Sequence, residues 1–145
     1  MSPLPLNTPN KAMYWNPPKE LMKVEDIIQK RTRTRRKFFV FVREHRDHIF
    51  DKDFQDKLIE VYSLEATGKP AVPPALLGMA TLLQAYCGVG DQEAVELSLM
   101  DRRWQMALDH FDCEKTAFSQ GTLFNFRQRL IQHDLDKALL DLKQA

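Results

Sequence analysis

The segment ALLGMATLLQAY, Ala75 to Tyr86, constrains the fold more than any other part of the chain. Pro73 and Pro74 stand before it and Gly88 and Gly90 after it, the punctuation of a helix that opens in a proline-tolerant first turn and stops at glycine. Almost no polar residue interrupts its circumference. A helix apolar on every side has no solvent face, so other helices must enclose it. The chain is therefore expected to be a bundle with this helix at its centre.

The neighbours needed for such a bundle are present. Upstream, Phe38, Phe41, Val42, His45 and Ile49 fall at i, i+3, i+4, i+7 and i+11 and read as one apolar face of a helix over about 33–49, with Phe39 and Val40 turned elsewhere. Asp51 is placed to cap a helix over about 52–66 that turns Phe54, Leu58, Val61 and Tyr62 inward, with Gly68 and Pro70 ending it. Downstream, Asp91 starts a helix through about Met100. Asp101 caps the next, with Trp104, Ala107, Leu108 and Phe111 on one side. After a loop near 112–118, Ser119 caps a helix to about Gln132, and Asp134 caps a last one with Leu135, Ala138, Leu139 and Leu142 inward. No run alternates with period two. The pattern predicts an all-α compact bundle of about six or seven short helices with a helix-turn-helix-like C-terminal part. Residues 1–20 hold five of the eight prolines, so 1–22 is expected to be an extended or disordered arm ahead of a helical domain over 23–145.

The net charge of +1 conceals an uneven distribution. Residues 23–46 carry nine Lys/Arg against three Asp/Glu, whereas 47–118 carry six against thirteen. Within the basic front, KRTRTRRK (Lys30 to Lys37) is the densest run. Arg31, Arg33, Arg35, Arg36 and Lys37 are candidate phosphate contacts, the alternating threonines adding hydroxyl donors. Cations at a helix start oppose its dipole, which hints at a use other than stability. The plainer reading is a solvated helix start paired with the acidic segment 47–60.

On a wheel of 119–132, Leu123, Phe126, Leu130, Ile131 and, at the edge, Phe124 form the buried side. Thr122, Asn125, Gln128, Arg129 and Gln132 face outward. Amides suit adenine and guanidinium suits guanine in the major groove, so Asn125, Gln128, Arg129 and Gln132 are candidate base readers; a polar bundle surface is the plainer alternative. Arg127 falls inside the apolar arc. A buried charge needs an acid, and Asp91, Glu93 and Glu96 are the candidates, so Arg127 is expected to be a structural tie to the helix that carries them.

Several patterns carry no chemistry. His45 and His48 are one turn apart but lack a completing carboxylate, and GVGD (Gly88 to Asp91) follows a helix rather than the strand that a phosphate loop requires. Cys87 and Cys113 are too few for a disulfide framework or a zinc cluster and read as reduced thiols. No catalytic constellation, cofactor motif or metal site is expected. The start of the chain lacks the pattern of a signal peptide, and no apolar run approaches membrane-spanning length, which points to a cytoplasmic protein.

Four pieces, RTRTRRKFFVFVREHRDHIFD, KPAVPPALLGMATLLQAYCGVGDQEAVEL, RRWQMALD and FSQGTLFNFRQRLIQHD, resemble in order the N-terminal, non-catalytic region of bacterial insertion-sequence transposases of the DDE class. The resemblance runs from about Arg31 to Leu140. It implies binding to the terminal inverted repeats of double-stranded DNA, in the bacterial cytoplasm at the nucleoid. In that class a following RNase H-like domain supplies three acidic residues and two divalent metals. Nothing after Leu140 could supply that domain, so this chain alone is expected to be non-catalytic, a fragment or the product of a truncated element. The alternative is a helical interaction or dimerisation module, free-standing as a regulator; a helical hydrolase is the remote third. Possible homodimers are compatible with both leading readings, and neither calls for a membrane or a small-molecule substrate.

Overall fold

The structure, a computed structural model, describes residues 13–63 and 72–141. It is all helical, without a strand among the described residues. The order is α1 (Lys23–Arg31), a 3₁₀ turn (Thr34–Arg36), α2 (Phe38–Ile49), α3 (Lys52–Ser63), α4 (Pro74–Cys87), α5 (Asp91–Met100), α6 (Arg102–Leu108), α7 (Gln120–Gln132) and α8 (Asp136–Leu140).

α4 is the centre, as its composition demands. Every residue from Pro74 to Gln84 is buried. Pro74 supplies the first turn, and Gly88 ends the helix at φ 68°, a left-handed conformation that costs glycine least. Helices α3, α5, α6, α7 and α8 pack around it, and α1 and α2 form a further layer against α6. Gly78 lets the Phe50 ring approach closely: a Cβ there would lie 2.8 Å from Phe50 Cε1.

The helix starts follow the side-chain rules where a cap was expected at Asp51, Asp101 and Ser119. Asp51 accepts from the Phe54 N–H at 2.8 Å. Asp101 accepts from the Arg103 and Trp104 N–H groups, and Ser119 from that of Thr122. Asp134 departs from expectation. It sits at φ 57° inside the turn after α7, Leu135 precedes α8, and no side chain caps that helix. Leu139 is buried there but Ala138 is exposed. Gly68, Pro70 and Leu142 lie outside the described residues, as do the end of the second expected helix and residues 1–12 of the arm. Segment 109–119 separates α6 from α7, much longer than the turn of about three to four residues in a DNA-binding helix-turn-helix.

The largest correction concerns residues 23–49. A 3₁₀ turn and the shorter α2 replace the single helix expected over 33–49, a further helix, α1, precedes them, and α2 buries a different face. Phe39, Val42, Arg43, Arg46 and Phe50 are buried, while Phe41 and His45 are exposed and Phe38 and Ile49 half-buried. The spacing of the buried set is that of the expected one, displaced by one residue. Apolar periodicity overlooks it because two of its members are arginines.

Those arginines are held by an acid and by backbone carbonyls. Arg43 forms an ion pair with Glu25 of α1, both 3% exposed, and its guanidinium also donates to the carbonyls of Lys19 and Glu20. Arg46 donates to the Met106 carbonyl at 2.9 Å, at the C-terminal end of α6, and to the Pro18 carbonyl at 2.8 Å. Burial first, then the neighbouring Arg43 charge, pulls the Arg46 pKa down to about 10, which leaves it charged at neutral pH. Together they strap the chain over 18–25 onto α2. The arm is accordingly extended but docked over its described part. Trp15 is buried, exchanges two backbone hydrogen bonds with the Gln55 side chain (2.8 and 3.0 Å), and meets Phe50 edge-on.

Candidate nucleic-acid interface

The basic front is divided between two roles. Arg43 and Arg46 belong to the interior, and Lys30 pairs with Asp26 one turn before it at 3.0 Å. What remains is the junction of α1 and α2. Arg31, Arg33, Arg36 and Lys37 are exposed, and among the described residues none of the four is ion-paired. Arg35 occupies the middle of the 3₁₀ turn, with its side chain outside the described set. The turn is well braced for a surface segment. Backbone bonds link Arg36 N–H to Arg33 O (2.8 Å) and Lys37 N–H to Thr34 O (3.3 Å), and Lys37 Nζ donates to Gln29 O. Thr32 does not offer its hydroxyl outward, since it donates to Ile28 O at 2.6 Å and is buried. Lys37 is also the N-cap of α2, which has no side-chain cap and no acid in its first turn. The positive end of the helix dipole and four exposed cations therefore share one short segment, the electrostatic complement of phosphate.

α7 presents a different surface. Leu123, Phe126 and Leu130 are buried, and Asn125, Gln128 and Gln132 are exposed. Phe124 and Ile131, expected on the buried side, are 46% and 50% exposed. The wheel overstated the buried arc: α7 packs against α3, α4, α5 and α8 and still leaves both of these side chains about half in solvent. Arg129 is not a free reader. Its guanidinium donates to the Tyr62 carbonyl at 3.0 Å and lies 4.9 Å from the centre of that ring, which makes it a tie between α7 and α3. Arg127 pairs with Asp91 through both carboxylate oxygens, the Nη2–Oδ2 contact being 3.0 Å, and reaches Gln84 Oε1 at 3.4 Å. The hydrogen bond from Arg127 is the main cause holding the Asp91 carboxyl below its usual range. Glu93 and Glu96, the other two candidate partners, are exposed; with Gln120 they line a shallow acidic depression at the start of α7. Asp91 takes the arginine because it is the first residue of α5, at the end of the helix that faces α4 and α7.

The cationic turn and the amide face are not presented together. Arg36 stands over the Tyr86 ring, 5.7 Å from its centre, whereas Arg127 of α7 meets Gln84. Those two positions of α4 are two residues apart, about 200° around the helix axis. The two surfaces therefore flank α4 on opposite sides. A cleft of about 320 Å³ opens beside α7, lined by Thr81, Val89, Leu130, Ile131 and Asp136 among others.

Buried Arg43, Arg46 and Glu25 were not anticipated as partners. The signal was available: the arginines are three residues apart, in phase with Phe39 and Phe50, and Glu25 is one of only three acids in 23–46.

Comparison with known families adds one finding. A family model described as Transposase domain (DUF772) matches residues 23–129. No curated protein and no solved structure matches the chain.

Proposed function

The chain belongs to the transposase-domain family DUF772, which gives it a role in transposition, and on that premise we propose that it binds the DNA ends of the mobile element. The observation that carries this reading is the junction of α1 and α2: Arg31, Arg33, Arg36 and Lys37, exposed and without ion pairs among the described residues, around the uncapped start of α2. Phosphate there would meet the positive end of the α2 dipole and neutralise side chains that repel one another. The burial of Arg43 and Arg46 sharpens the argument. Cations needed for stability have been withdrawn from this surface, and those left over compensate no buried acid.

Binding through this turn fixes phosphates and carries little sequence information. Asn125, Gln128 and Gln132 are exposed and chemically able to read bases, but they lie across α4 from the turn, and the acids Glu93 and Glu96 stand with Gln120 at the start of the same helix. Exposed Phe124 and Ile131 next to a cleft suit a protein partner, a second copy of the chain or another part of a transposase. α7 is accordingly assigned to assembly, and recognition of terminal inverted repeats to the complex as a whole.

One experiment separates the two surfaces. Affinity for terminal-repeat and shuffled duplexes is measured across a salt series for the unaltered chain, for Arg33→Gln/Arg36→Gln/Lys37→Gln, and for Phe124→Ser/Ile131→Ser. The charge variant should bind all DNA more weakly, its log K against log salt slope flattening by about one for each phosphate it no longer neutralises. The α7 variant should keep its slope and lose self-association in sedimentation. An unchanged slope in the charge variant rejects the DNA assignment of the turn.

A further inference from the structure

Part of the α2 face that the apolar pattern would place inside reaches the surface, with Phe41 and His45 exposed and Phe38 half-buried, and its rings form a row. Phe38 stacks on Tyr86 of α4, centroids 4.4 Å apart and planes 22° from parallel. Phe41 continues the stack from Phe38 at 6.4 Å and 25°. His45 follows Phe41 at 4.7 Å, and His48 follows His45 at 6.4 Å. Phe41 is 39% exposed, and both histidines are exposed. The row begins under the cationic turn, where Arg36 stands over the Tyr86 ring.

We infer that this row is a stacking platform for unpaired nucleotides at a frayed or single-stranded DNA end, with the adjoining turn holding their phosphates. The inference rests on the DNA reading of the turn. Aromatic faces beside a cationic track are the chemistry that binds single strands without sequence preference, because every base has a π-face and every nucleotide a phosphate. The arrangement also explains a costly placement. A phenylalanine in phase with a helix's apolar stripe is more stable facing the interior, yet here two interior positions are given to Arg43 and Arg46 while Phe41 is left 39% exposed. Charge bounds the track. Asp47 is engaged by Lys19 and His48, but Glu44 is exposed one turn beyond Phe41 and repels phosphate, so nucleotides occupy the rings nearest the turn.

The test uses the full chain with three fluorescent probes: a blunt duplex, the same duplex with a single-stranded tail, and an oligothymidylate. Unaltered protein should bind the tailed duplex more tightly than the blunt one and bind the oligothymidylate measurably. Phe41→Ala should lower affinity for the tailed and single-stranded probes roughly 5- to 150-fold, the effect of removing one base–aromatic stack, and leave the blunt duplex unchanged. Phe41→Trp should restore tight binding, and oligothymidylate should quench the new indole. If Phe41→Ala fails to fold, the Phe41→Trp quench decides alone. Equal affinity of Phe41→Ala and unaltered protein for single strands, or an unquenched indole, overturns the platform and gives the aromatic row to a protein partner. Binding of duplex with no preference for a tail overturns it and leaves the DNA reading intact; no binding to any probe overturns both.

Discussion

Removing the Glu25 carboxylate should unfold this domain more readily than almost any other single change. Glu25 and Arg43 are each 3% exposed, and Glu25 is the carboxylate that neutralises Arg43. A Glu25→Leu variant leaves the guanidinium buried against the neutral carbonyls of Lys19 and Glu20. Breaking a buried pair from one side costs about 3–5 kcal/mol, because the remaining charge keeps its desolvation penalty. For a chain of this length each kcal/mol moves the melting temperature by about 3–4 °C, so a fall of about 10–20 °C is expected in a calorimetric or circular-dichroism melt. The double variant Glu25→Leu/Arg43→Met should recover most of that stability, since replacing both partners with apolar groups is close to neutral. The pH dependence has a definite sign. Burial pushes the Glu25 carboxyl up, but the Arg43 hydrogen bond, the Met22 N–H and the charges of Arg43 and Arg46 together hold it below its ordinary value. A group whose folded pKa is depressed contributes stability above its unfolded pKa and loses it as pH falls through the folded one. The unaltered protein should therefore lose stability on acidification below the usual carboxylate range, and Glu25→Leu should lose less. A single variant costing under about 1 kcal/mol in urea titration, or a double variant no better than Glu25→Leu, would refute the claim that Glu25 compensates Arg43.

Asp91→Asn should loosen α7 by about 1–3 kcal/mol in denaturant titration, since Arg127 would keep a neutral partner. Because Arg127 depresses the Asp91 pKa, the difference between the two proteins should be full above the ordinary aspartate value and vanish as pH falls through the lowered one; a constant difference into strong acid contradicts it. Gly78→Ala should cost about 1–3 kcal/mol in thermal melts, because its methyl would meet Phe50, itself held between Trp15 and Phe54. Relief of the defect by a second change, Phe50→Leu, identifies the clash as the cause.

The centre of this fold was legible because composition alone decides it: α4 has no polar face, and its proline and glycine boundaries hold to the residue at Pro74 and Gly88. Caps at Asp51, Asp101 and Ser119 were legible because each satisfies orphan N–H groups through a short local bond. α2 was misread for an equally physical reason. The same spacing fits two faces one residue apart, and the choice is made by Glu25 and by carbonyls from 18–20 and α6, which no local pattern contains. α1 escaped notice because its buried residues are Glu25 and Ile28, a charge and one aliphatic. Of the candidate site, the exposed cations of the turn were legible as a dense run. The engagement of Arg129 by Tyr62 and the separation of α7 from the turn were not, since both depend on which face of α4 each element meets.

A central helix without a wet side also imposes an order of events on the ribosome. α4 is complete at Cys87, but the helix that closes its far flank ends only at Gln132. At about 5–20 residues per second, translation leaves a greasy rod half-clothed for roughly 2–9 s in every copy made. At the start of that interval α3 is its main shelter within this domain, and α5 and α6 join before α7 closes the far flank. The yield of folded protein is thus governed by how fast residues 88–132 are synthesised, as well as by how stable the finished domain is.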